Sequence, residues 1–231
     1  MRNDGEEGMK TKAVVLTCSS LEIYVKRAQE RMHTNYPVIV IDRIYHVEPE
    51  KMKNVIREEF NRKDLDPETI LVAMGFCGGV WDQVYAEVKT IIPRVDDCVS
   101  LLLATDDCYI PNRKESGHLY LYEDDPEKVL AVSLLKDYCK ASEEFQRLDE
   151  ETLLHMWFDQ YGFLDIIDTG YNDCYEETYA EQAQKNADII HATLDYVQGS
   201  NRILEKLVSG NWDEQFLVAE PGHLIQHRDF F

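Results

Sequence analysis

The sequence has no apolar run approaching the roughly 20 residues that a membrane helix needs, so a membrane-spanning protein is not expected. It has no CxxC pair, which excludes a zinc ribbon and a thioredoxin-type motif. It has no GxGxxG and no phosphate-loop lysine, which removes the common nucleotide fingerprints. Positive charge is also scarce: 24 Lys and Arg stand against 44 Asp and Glu, for a formal net charge of −20. Such a surface repels phosphate backbones and anionic headgroups, so neither nucleic acid nor a membrane is an expected partner. The opening stretch, MRNDGEEGMKTK, is too polar and acidic for an export signal and reads as a flexible lead-in over residues 1–12. The expected location is the cytoplasm.

The chain has 231 residues, 44% of them hydrophobic and 29% charged, which suits a single globular domain over 13–231. Its six cysteines, at 18, 77, 98, 108, 139 and 174, are expected to be reduced thiols. A domain of this size is compatible with a homo-oligomer formed through an edge strand or a helix.

The first half alternates between two periods. AVVLTC (13–18), YPVIVIDRIYHV (36–47), ETILVAMGFC (68–77) and TIIPRV (90–95) are near-continuous apolar runs, as strands covered on both faces require. Between them, SSLEIYVKRAQERMH and EPEKMKNVIREEFNRK carry apolar residues at helical intervals, and GGVWDQVYAEVK is expected to open a third helix. The predicted fold is α/β: a mostly parallel, Rossmann-like sheet with helices on both faces and a helix-rich C-terminal half. In that half GHLYLYED (117–124) and LDIIDTG (164–170) read as strands. PEKVLAVSLLKDYCKASEEFQRLDEETLLHMWFDQYGF reads as two helices, CYEETYAEQAQKNADIIHATLDYV as one long helix, and EQFLVAEPGHLI as a closing strand.

In an open parallel sheet, ligands bind at the carboxyl ends of the strands. There the sequence sets Cys18 after the first strand, His46 after the second, Cys77 after the third and Cys98 after the fourth. One cysteine alone is a common core filler. Three thiolates and an imidazole at four strand ends are a metal-ligand set, suited to zinc or iron. Gly78 and Gly79 allow close approach to Cys77. Arg94, Tyr109 and Asp168 complete the candidate ligand-binding residues, Arg94 as a group that can receive a carboxylate or phosphate. Asp96 and Asp97 can orient an imidazole or fix the loop. His118 and His155 read as incidental to strand and helix faces, and Cys108, Cys139 and Cys174 as loop or helix-face residues.

TCSS after the first strand, YHVEPEKM, MGFCGG, PRVDDCVSLLLATDDCY, IDTGY and VAEPGHLI together resemble a family of unknown function, the domain of unknown function numbered sixteen thirty-eight. The similarity runs from about Ala13 to Ile225, and its most specific pieces are Cys77-Gly78 and Asp97-Cys98. Members occur in anaerobic archaea and bacteria, many encoded beside corrinoid-dependent methyltransferases. The resemblance implies a protein of anaerobic one-carbon metabolism, a corrinoid or corrinoid protein as cofactor or partner, and Cys18, His46, Cys77 and Cys98 as family positions. Two departures are Ser19, where members commonly have glycine, and the charged stretch PNRKESGHLYLYEDD after Tyr109. The expected function is that of a metal-binding protein of anaerobic one-carbon metabolism with a Cys3His-type site at the carboxyl ends of the strands; whether it is an enzyme is left open, a metal-dependent methyltransferase-type activity being one option. The alternative is a non-catalytic accessory protein that binds a corrinoid protein or a small metabolite.

Overall fold

A computed structural model of the chain describes residues 13–43, 45, 49–60, 67–122 and 145–231. A five-stranded sheet forms the centre, in the order β2-β1-β3-β5-β9. Its strands are β1 (Ala13–Cys18), β2 (Val38–Ile41), β3 (Thr69–Ala73), β5 (Lys89–Pro93) and β9 (Phe216–Ala219). The first four run parallel, with Val15 opposite Val38 and Leu71, and Leu71 opposite Ile91. Only β9 is antiparallel, pairing Ile91 with Val218. Every residue of β1 is buried, as its AVVLTC run requires of a strand covered on both faces.

Helix α1 (Glu22–Met32) packs along α6 (Arg202–Ser209), and α6 lies against β3 and β5. Both helices end on a left-handed residue, His33 and Gly210. Helix α2 (Pro49–Phe60) contacts β2 and the turn at Cys77–Gly79, and the short α3 (Cys98–Leu102) follows β5. A second, three-stranded parallel sheet orders β6 (His118–Leu121), β7 (Phe163–Asp168) and β8 (Thr193–Gln198). Leu164 and Ile166 of β7 belong to a separate apolar cluster with residues of α4 (Glu150–Phe158) and α5 (Glu177–Ile189), whereas Ile167 joins the main core. Ser200 N–H donates to Leu102 O at 2.8 Å and Asn201 Nδ2 to Tyr24 O at 2.9 Å, tying the end of β8 to α3 and α1.

The mixed α/β class and the mostly parallel central sheet are as expected. Two segments differ. GGVWDQVYAEVK forms no helix: a 3-10 turn at Cys77–Gly79 leads through Gln83, at φ 61°, into β4 (Val84–Tyr85), which pairs antiparallel with β10 (Leu224–Ile225). Its two glycines and buried Trp81 serve a turn, and β10 supplies the partner that stabilises an extended backbone there. The long helix expected to continue through ATLDYV stops at Ile189, where His191 turns left-handed at φ 55° and Thr193–Gln198 becomes β8. The helix expected at the start of PEKVLAVSLLKDYCK, together with Cys139 and the 1–12 lead-in, lies outside the described residues.

Candidate functional site

The loops after β3 and β5 are laced together at the carboxyl end of the sheet. Phe76 N–H donates to Val95 O at 2.8 Å and Cys77 N–H to Asp96 O at 2.7 Å. Buried Trp81 donates its indole N–H to Gly75 O at 2.9 Å, fixing the start of the turn from below. A Cβ on Gly75 would sit 2.6 Å from Asp97 Cα, so glycine is what lets the two loops touch. Cys77, Gly78 and Gly79 then take successive positive φ values of 47°, 69° and 95°. Glycine adopts that region without strain; cysteine pays on the order of 1–2 kcal/mol.

Across this contact, Asp97 caps α3 by accepting from Ser100 N–H at 2.8 Å, which makes Cys98 the first residue of the helix. The result is a thiol pair: Cys77 Sγ and Cys98 Sγ lie 3.9 Å apart, both buried. A tetrahedral ion with metal–sulfur bonds of about 2.3 Å would hold two sulfurs about 3.8 Å apart. The pair therefore fits a chelated soft or borderline cation with little rearrangement.

Lys114, absent from the sequence-based candidates, pairs with the two aspartates of this arrangement. Its Nζ donates to Asp96 Oδ2 at 2.9 Å and also to Asp97 Oδ2. Burial pulls the pKa of this half-buried ammonium down, but the bonds to Asp97 and Asp96 outweigh it and carry the value above that of an ordinary lysine. The strap that brings Lys114 here is itself tied down, with Asp96 N–H donating to Pro111 O at 2.7 Å and Arg113 N–H to Ser100 Oγ at 3.3 Å. Lys114 thus clamps the two aspartates that position the cysteines, Asp96 through its carbonyl and Asp97 through the helix cap.

Cys18 ends β1 and is buried, with its Sγ 3.1 Å from Ser20 Oγ. Burial pushes this thiol's pKa up, against the lowering pull of Ser20, Ser19 and Arg43. Among the described residues no three His, Cys, Asp or Glu side chains gather as a metal-holding group, so Cys18 does not join the pair in one. His46 lies outside the described residues.

Arg94 and Tyr109 are committed to backbone carbonyls between Glu214 and Phe230. Arg94 donates from Nε to Asp229 O at 2.8 Å and from its guanidinium to Glu214 O at 3.1 Å, and it stacks 4.0 Å above the Tyr109 ring. The Tyr109 hydroxyl donates to Phe230 O. This clamp seats Phe230 and Phe231 on Phe76, at centroid distances of 4.8 and 5.6 Å, beside Cys77. Asp168, at the end of β7, accepts from Gly170 N–H at 2.9 Å and from the Tyr175 hydroxyl at 2.8 Å, closing its own turn.

A second polar feature lies on the small sheet. Asp165 is the one buried acidic residue among those described, and its Oδ2 lies 2.6 Å from His118 Nδ1 on the neighbouring strand. The imidazole stacks on Phe163 at 4.4 Å. Burial raises the Asp165 pKa, partly offset by His118. The sequence signal was the alternation of HLYL against FLDIID, which puts His118 and Asp165 on one face once the two strands pair in parallel.

The family model described as "Protein of unknown function (DUF1638)" matches residues 40–208. No curated protein and no solved structure matches the chain.

Proposed function

We propose that the chain, which belongs to this family of unknown function, is a metal-binding protein whose anchoring ligands are the thiolates of Cys77 and Cys98. The observation that carries the proposal is the 3.9 Å sulfur–sulfur separation, produced by two loops that meet only because Gly75 is glycine. The strained backbone of Cys77 adds to it, since the position would suit a third glycine yet presents a thiol. Zinc or iron are the expected ions; His46 is the candidate for a further ligand, whereas Cys18 does not gather with the pair. This reading treats the sheet as Rossmann-like, with its ligand at the carboxyl ends of the strands.

A bound metal would keep a coordinated thiol ionised at neutral pH, which is the chemistry a methyl acceptor needs. The chain's own part is to hold two sulfurs at fixed separation, brace their loops through Lys114, and cover one side with Phe76 and residues 227–231. As setting we propose cytoplasmic one-carbon metabolism, with a corrinoid protein or small molecule as partner; the family resemblance and this thiolate chemistry support it.

Metal analysis of protein purified without oxygen or added metal tests the proposal, beside Cys77→Ser and Cys98→Ser. The expected result is about one equivalent of metal in the wild type, lost in both variants. A chain that takes up no zinc or ferrous iron on reconstitution would leave the non-catalytic accessory role as the better description.

A further inference from the structure

We infer that Cys77 and Cys98 also form a reversible two-electron couple, oxidised to an intramolecular disulfide by small hydroperoxides. The inference needs the thiol pair and does not depend on a metal. From 3.9 Å, each sulfur has to move only about 0.9 Å to reach disulfide bonding distance, a motion available to χ1 rotation. The partners lie on different loops, and the backbone bonds from Phe76 to Val95 and from Cys77 to Asp96 already hold those loops together, so closing the bond costs little chain entropy.

Access selects the oxidant. Cys77 is 9% exposed and Cys98 3% exposed, so a bulky disulfide reagent meets mostly covered sulfur whereas hydrogen peroxide is about the size of water. Cys108 is the exposed thiol among those described, and it is the expected target for larger reagents. In the first step one thiolate attacks the peroxide O–O bond, forming a sulfenic acid and releasing water once the leaving hydroxide takes a proton. In the second, the other thiolate attacks the sulfenic sulfur, the S–O bond breaks, and the leaving hydroxide takes a proton as a second water while the disulfide forms. Two thiols are oxidised by two electrons and one peroxide is reduced to two waters. A dithiol reductant reverses the change by exchange. The same two sulfurs cannot be in a disulfide and hold a metal together, so oxidation releases a cation and a bound cation protects the thiols.

The test treats chelator-stripped wild-type protein with stoichiometric hydrogen peroxide and maps the digested peptides by mass spectrometry without reduction. The expected product is a cross-link between the Cys77 and Cys98 peptides that dithiothreitol removes and that forms at the same rate in Cys108→Ser. In Cys77→Ser, Cys98 should instead stop at a sulfenic acid trapped by dimedone. Circular dichroism of that variant controls for folding, and the wild-type arm stands without it. A peroxide-treated wild type whose Cys77 and Cys98 remain separately alkylatable, or cross-link no faster than in urea, would overturn the inference. A cross-link in a protein that never takes up metal supports this couple while removing the metal-binding proposal, and metal uptake without a cross-link does the reverse.

Discussion

Cys77 pays for its conformation. At φ 47° a β-carbon is strained and a glycine is not, although glycine gives back part of that advantage in unfolded-state entropy. Cys77→Gly is therefore expected to be more stable than Cys77→Ala by about 0.5–1 kcal/mol in urea unfolding, the reverse of the order at a regular helix or strand site. Alanine as the more stable replacement would show that the turn is not left-handed there. Gly75→Ala works against the opposite constraint: its new Cβ would meet Asp97 backbone at 2.6 Å, so a loss of about 1–3 kcal/mol is expected, together with weaker metal uptake as the loops separate. The importance of Cys77, Gly78, Gly79 and Cys98 was legible in the sequence because glycine and cysteine are chemically distinctive. Lys114 was not, because a lysine in a charged loop looks the same whether it meets water or two aspartates 17 and 18 residues away.

At the scale of elements, the pair His118 and Asp165 staples β6 to β7. A carboxylate this buried is tolerated when it is hydrogen-bonded, and the 2.6 Å contact to the imidazole supplies that. His118→Ala is expected to cost about 1.5–3 kcal/mol by leaving Asp165 buried without its partner. Asp165→Asn, which keeps the shape without the charge, should cost less, and His118→Ala with Asp165→Asn should cost less than the sum of the two. Strict additivity in thermal melts would mean that the two side chains do not interact. The apolar runs of β1, β3 and β5 announced themselves because strands buried on both faces have no polar face to disguise them. β8 has mostly exposed or half-buried residues at the edge of its sheet, so TLDYVQ carried no such signal and merged with the helix before it. β4 is two residues long and owes its form to β10, 139 residues later in the pairing of Tyr85 with Leu224. No local reading of GGVWDQVYAEVK contains that partner.

For the whole molecule, pH sets the limits. On the acid side, hydrogen bonds from Arg202 and Lys206 hold the Asp107 carboxyl down at about 2, and Arg113 and the Thr152 backbone lower Asp106 and Asp149. Depressed carboxyls contribute stability that is present above the ordinary carboxylate value of about 4 and is lost as pH falls through the folded values. On the alkaline side, the raised Cys18 thiol and Lys114 ammonium contribute stability that is present below their ordinary values and lost as pH rises through the folded ones. Melting temperature is therefore expected to fall below about pH 4 as the depressed carboxyls protonate and above about pH 8.5 as Cys18 and then Lys114 lose protons, while the raised Asp165 carboxyl and His155 imidazole add a shallow decline with rising pH in between. Cys18→Ala should flatten the alkaline limb. An unchanged alkaline limb in that variant would show that the buried thiol is not what titrates.

Cobalt(II) titration of the reduced protein, followed by thiolate-to-metal charge-transfer absorption, tests the central claim most directly. With Cys108→Ser as background, the absorption should saturate at about one cobalt per chain, weaken when either Cys77 or Cys98 becomes serine, and vanish when both do. Absorption that survives the double replacement, or that never develops in the background protein, would contradict a metal site built on this pair.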